Sequence, residues 1–228
     1  GPALVVAPLT ALAGPLWSYN VLAIAAPALA AWTGYLLCRH LTRDTVAAIV
    51  GGWAFGFSSY LLGETLNHLN LALVWPLPLI VLVVVRLVEG SLRPRRGVIA
   101  LAALIAMQYL TFTEVAATAT LVGLITLAAA LILGPAERRA RIVGALPWLA
   151  AGYALALALV SPLVITALVH PNPIDRRIRP DLYPLDLKNL LVPTQITWLG
   201  GDRFRDQSLD FVGNLTEQLG YVGPVLLL

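Results

Sequence analysis

The sequence predicts an all-α protein, a polytopic bundle of transmembrane helices with one long irregular loop that carries short interfacial helices. Three observations predict it. Of the 228 residues 59% are hydrophobic and 12% charged, where a soluble domain has about 45–50% apolar and 25% charged residues. The mean hydropathy is +0.82, and several apolar runs reach the ~17–25 residues that cross a hydrocarbon layer about 30 Å thick. Arginines gather in short clusters between alternate runs, the pattern that membrane topology imposes. In lipid each backbone polar group is satisfied within its own segment, which selects helices for such runs.

Six full spans follow in order, near residues 19–38, 44–62, 71–89, 96–112, 113–134 and 147–169. The first runs uncharged to Arg39, and the second opens after Arg43 at Asp44. The third ends at Glu89, ahead of Arg93, Arg95 and Arg96, and the fourth and fifth are joined so tightly that the turn around Thr111 to Glu114 lies at or inside the membrane boundary. Arg138, Arg139 and Arg141 separate the fifth span from the sixth, which begins near residue 147. Residues 2–13, "PALVVAPLTALA", are short for a span and contain two prolines, so they read as a re-entrant or interfacial piece. The organisation is a bundle over 1–169, an extracytoplasmic loop region over 170–218, and the start of a further transmembrane helix over 219–228. The chain reads as a segment of a longer protein.

The three arginine-bearing loops lie on one side, and the short loops around Glu64 to Asn70 and Thr111 to Glu114 contain no lysine or arginine. By the positive-inside rule the arginine loops are cytoplasmic and the 170–218 loop faces outward from the cytoplasmic membrane. The pI near 9.3 therefore reports topology and excludes a nucleic-acid footprint. A single cysteine, Cys38, excludes an intrachain disulfide.

Polar groups collect on the outer side. In "GETLNHLN", Glu64 and His68 fall four apart, on one face if the second helix continues to Asn67; the other reading is a solvated helix end. Gln108, Thr111, Thr113 and Glu114 cluster at the tight turn, where Glu114 either faces a cavity or simply opens the fifth helix at the positive end of its dipole. In the long loop Arg176, Arg177 and Arg179 form a cationic cluster that suits a lipid phosphate, or a solvated turn paired with Asp175 and Asp181. Asp202, Asp206 and Asp210 recur every four residues, the weakest candidates, for a divalent metal, without the order of a calcium loop. Asn214 and Glu217 read as a helix cap opening the last segment.

The phrases "APLTALAGPLWSYNVLAIAAPALAAWTGYLLCRHLT", "AAIVGGWAFGFSSYLLGETLNHLNLALVWPLPLIVLV", "VPTQITWLGG" and "GNLTEQLGYVGPVLLL" resemble actinobacterial members of the GT-C superfamily of membrane glycosyltransferases, and the YfhO-like branch of that group. The resemblance implies a bacterial cell-envelope enzyme of GT-C fold that moves a hexosyl or pentosyl group from a polyprenyl-phosphate donor to an extracytoplasmic glycan, lipid or protein acceptor. Membrane lipid is its other partner, and no cofactor is implied beyond a possible divalent metal. The family's catalytic acid stands in the first outer loop. No acidic residue precedes Asp44, so that acid is expected upstream of Gly1 and the catalytic residue is unknown. Glu64, His68, Gln108, Glu114, Arg176, Arg177 and Arg179 are the substrate-binding candidates. A multispan transporter or lipid flippase and a noncatalytic scaffold are the alternatives, the first supported by the intramembrane polar groups and opposed by the absence of an internal repeat.

Overall fold

A computed structural model describes residues 1–170, 186–195, 197, 201–212, 218, 220 and 221, and all regular structure among them is helical. Two short helices, α1 (Pro2–Val5) and α2 (Ala7–Ala13), bury no residue and precede Gly14, whose φ of 88° turns the chain into the 28-residue α3 (Pro15–Thr42). Arg43 closes α3 in the left-handed region, and the Asp44 side chain accepts a hydrogen bond from Ala47 N at 2.7 Å to cap α4 (Thr45–Gly56). The chain continues through α5 (Ser59–Asn67), α6 (Leu69–Ala72), α7 (Pro76–Val88), α8 (Pro94–Thr111), α9 (Thr113–Leu133) and α10 (Ala136–Val169). Proline opens α7 and α8, where its missing N–H costs nothing. Beyond the bundle, 3₁₀ turns at Leu187–Leu190 and Asp202–Phe204 lead to α11 (Arg205–Leu209).

Among the described residues five segments are long and apolar enough to cross a membrane: Pro15–Thr42, Thr45–Leu66, Leu69–Val88, Thr113–Leu133 and Ala136–Val169. Their lipid-facing character is direct, since α9 buries no residue and leaves Ile132 and Leu133 74% and 82% exposed, a surface that water would not tolerate over a whole helix. The protein is a multi-pass membrane protein. The expected fourth span, 96–112, is the one departure in number. It is helical as α8, but Arg95, Arg96 and Gln108 lower its apolarity, and α8 buries Gly97, Leu101, Ala102, Ala106 and Gln108 against its neighbours while Ile99, Met107 and Leu110 stay exposed. Its main partners are α10 and α7.

Three other boundaries differ from the expectation for physical reasons. The 44–62 span is interrupted: α4 ends at Phe57, and Ser58 caps a new helix, α5, by accepting from Leu61 N at 3.4 Å. The residues Glu64 to Asn70 are not a solvated loop, because α5 runs on to Asn67 and α6 begins at Leu69. The sixth span extends back to Ala136, so Arg138, Arg139 and Arg141 stand on the first turns of α10 rather than in a loop. Pro147 lies inside that helix, as membrane helices tolerate.

Helices α3 and α4 meet backbone to backbone. A Cβ added at Gly52 would lie 2.5 Å from Ala31 O and 2.7 Å from Tyr35 N, and one at Gly56 would lie 2.6 Å from Ala31 Cα. Small residues recur every four positions on both helices, at Ala26, Ala30 and Gly34 and at Ala48, Gly52 and Gly56, all of them buried. That spacing lets two helices approach closely in lipid. One apolar cluster joins Ala26 and Ala30 to Leu61, Ala72, Leu73 and Val74; a second joins Leu87, Leu101 and Leu149.

Candidate functional site

Of the polar groups of α5, Glu64 is held by packing rather than solvated. The α5 start is fixed by the Ser58 cap, and its end by Tyr19 of α3, whose hydroxyl donates to Thr65 O at 3.1 Å and Leu66 O at 3.4 Å. These carbonyls belong to the last turn, where no intrahelical N–H reaches them. Ser59 Oγ donates to Tyr221 O at 3.1 Å, tying the later segment to the same helix. Behind Tyr19, Ser18 shares a 2.7 Å hydrogen bond with Thr10, joining α2 to α3 across Gly14.

Within this frame Glu64 is buried, with its side chain 5% exposed, and its Oε2 lies 3.2 Å from Nδ1 of His68, which is 39% exposed. The four-residue spacing thus places the two on one face. The distance is that of an ion pair, while the angles fall short of a hydrogen bond. His68 also closes α5, donating its backbone N–H to Glu64 O at 2.8 Å. With Nδ1 turned toward a carboxylate, the imidazole has its other nitrogen to offer to a group arriving from solvent, the arrangement by which a carboxylate orients a histidine for proton transfer.

The remaining candidates among the described residues do not join this pair. Gln108 is 1% exposed and opens on a separate interior space lined by α7, α8, α9 and α10. Glu114 is exposed on the first turn of α9 and makes no hydrogen bond or ion pair among the described residues, as a helix-opening carboxylate does. Arg176, Arg177 and Arg179, with Asp175, Asp181, Asn214 and Glu217, lie outside the described residues. The three aspartates do not converge: among the described residues no group of three His, Cys, Asp or Glu side chains could hold a metal ion. Asp202 sits in a 3₁₀ turn and Asp206 in α11, so the change of three to 3.6 residues per turn breaks the single face their spacing promised.

One feature of the later segment has no strong sequence signal. Asp186, Lys188, Gln207 and Asp210 line a pocket of about 330 Å³ floored by Val192 and Phe211. Asn189 holds its wall: fully buried, it donates to Val192 O at 3.2 Å and accepts from Gly220 N at 2.6 Å. Asp186 caps the same turn through Lys188 N at 2.8 Å. Two carboxylates, an ammonium and an amide suit a ligand rich in hydroxyl groups.

No protein-family model, curated protein or solved structure matches the chain.

Proposed function

We propose that this chain is part of an integral membrane glycosyltransferase that moves a sugar from a polyprenyl-phosphate donor to an extracytoplasmic acceptor, with its arginine-poor end outward. The observation that carries the reading is the Glu64–His68 pair, a buried carboxylate behind a partly exposed imidazole at the polar end of an apolar bundle. A lipid-linked sugar needs such a boundary, since its tail stays in the bilayer while its reacting carbon meets an acceptor from water. In this reading Glu64 orients His68, and the imidazole binds the acceptor hydroxyl and takes its proton. The hydroxyl oxygen forms a bond to the anomeric carbon as the carbon–oxygen bond to phosphate breaks, and the polyprenyl phosphate leaves with the electron pair. The 330 Å³ pocket offers hydroxyl-binding groups for the acceptor, and Arg176, Arg177 and Arg179 are the proposed phosphate ligands.

The test is transfer by the detergent-purified parent protein from radiolabelled polyprenyl-phosphate hexose and pentose donors. His68→Ala and Glu64→Gln are expected to lower turnover about 10²–10⁴-fold, the usual worth of a positioned general base. Full activity in both variants removes the pair from the mechanism, and failure of every donor to bind or react removes the enzyme class.

One observation favours a second reading, a lipid flippase or transporter. The second span is interrupted at Phe57–Ser58, and discontinuous helices build transport sites by freeing backbone groups near the midplane. Movement of labelled polyprenyl lipid across proteoliposomes without sugar transfer would decide for it.

A further inference from the structure

Gln108 stands one turn from the end of α8, 1% exposed, and neither Nε2 nor Oε1 has a hydrogen-bond partner among the described residues. A buried primary amide left this way is costly, because both its donor and its acceptor have given up water. The side chain faces a cavity of about 30 Å³ bounded by Leu77 and Ile80 of α7, Ile105 of α8, Ala116 and Thr120 of α9, and Tyr153 of α10. A space of roughly 10–15 Å³ already admits one water. The volume therefore suits one or two waters better than a sugar or a lipid headgroup.

The chemistry narrows the occupant further. Nε2 needs an acceptor and Oε1 a donor. A cation would serve only Oε1 and an anion only Nε2, and no charged residue lines the space. A neutral molecule that donates and accepts serves both. The third polar group is Tyr153, whose hydroxyl donates to Thr120 Oγ1 at 3.4 Å, long against the 2.5–3.0 Å usual for O–H···O bonds. It is under-used, and a molecule seated between it and Gln108 would meet it at better range.

We propose that this cavity is a water-binding site in which Gln108 and Tyr153 share a bound water that joins α8, α9 and α10. Its structural weight falls on α9. That helix buries no residue, and apart from Thr113 in its first turn, whose hydroxyl donates to Tyr109 O of α8 at 3.5 Å, its side-chain hydrogen bond to another helix, among the described residues, is the one from Tyr153 to Thr120. The water is then the polar joint that holds an otherwise lipid-facing helix in register.

Radiolytic hydroxyl labelling of the chain in nanodiscs tests this, because radicals formed from a bound water oxidise the side chain beside it. Tyr153 is expected to be labelled in the wild type and to fall to background in Gln108→Leu, with labelling of the exposed Tyr19 unchanged. Gln108→Met, closer in length, serves if the leucine variant does not fold. An unlabelled Tyr153 in the wild type, or equal labelling in the variant, overturns the proposal. So does a rise in Tm on Gln108→Leu, the result expected of a dry site relieved of an unpaired amide. Stabilisation by sodium over choline that disappears in the variant would assign a cation and overturn it too.

Discussion

Gly56→Ala is a sharp probe of the α3–α4 crossing, because it adds one methyl group where two backbones already touch. The new Cβ would fall 2.5 Å from the Ala31 Cβ and 2.6 Å from its Cα, with Ala31 N nearer still. Real Cβ atoms essentially never come within 3.0 Å of another heavy atom, and backbone cannot rotate aside as a side chain tip can. The helices must therefore part by roughly 1 Å, a gap that forfeits a quarter to a half of each dispersion contact along the seam. Overpacking of this kind costs about 1–3 kcal/mol. Against it stands the gain of about 0.8–1.0 kcal/mol that alanine brings over glycine in a helix. Gly123→Ala on α9 isolates that gain, since a Cβ there meets nothing within 4 Å. Thermal melts of both variants in one detergent, followed by tryptophan fluorescence, should separate them by about 1–3 kcal/mol with Gly56→Ala the less stable. Equal stabilities would refute the close crossing.

Sidedness is tested by cysteine labelling in a Cys38→Ala background with a membrane-impermeant thiol reagent on intact cells. Cysteines at the exposed Ser91 and Ala136 should be shielded and those at the exposed Leu66 and Asp206 labelled; the opposite pattern inverts the topology. Asn189→Ala leaves the Gly220 N–H without the oxygen it donates to, a loss of about 1–3 kcal/mol, and limited proteolysis should then cut between residues 186 and 221 faster than in the wild type. Asp44→Ala removes the cap on α4 and should lower stability by about 0.5–2 kcal/mol, read from thermal melting.

The parts legible in the sequence are those written in local chemistry. Asp44 marks a helix start, and Thr113–Leu133 is bounded by a threonine turn and a Gly-Pro pair, so α9 matches its expected 113–134 span. The interruption at Phe57–Ser58 was not legible, because "FGFSSYLL" is as apolar as a continuous span and its signal is a lone serine cap. Pro147 misplaces the start of α10 for a related reason, since a proline reads as a boundary unless its neighbours are known. The candidate pair was half legible: the spacing of Glu64 and His68 predicts their meeting, but the burial of Glu64 is tertiary, and α5 packs on α3 and α6, which lie far off in sequence or across a turn. The period of four in Ala48, Gly52 and Gly56 is visible, yet a hydropathy scan is blind to it because small residues score near the middle of the scale.

At 34 residues, α10 is about 51 Å long, against a hydrocarbon layer of about 30 Å. Its apolar part, from Pro147 to Val169, fills that layer, so the turns before it project into the headgroup zone and past it. Arg138, Arg139 and Arg141 are carried there on the helix itself, with Arg141 3.8 Å from Glu137, at a height set by helix rise rather than by a compliant loop. Phosphates at that level would pull on the guanidinium groups, while sinking would drag charge into oil and rising would strip leucines of lipid. The helix works as a float mark. It sets the vertical level of the whole bundle, and with it how far the Glu64–His68 end stands from the opposite waterline.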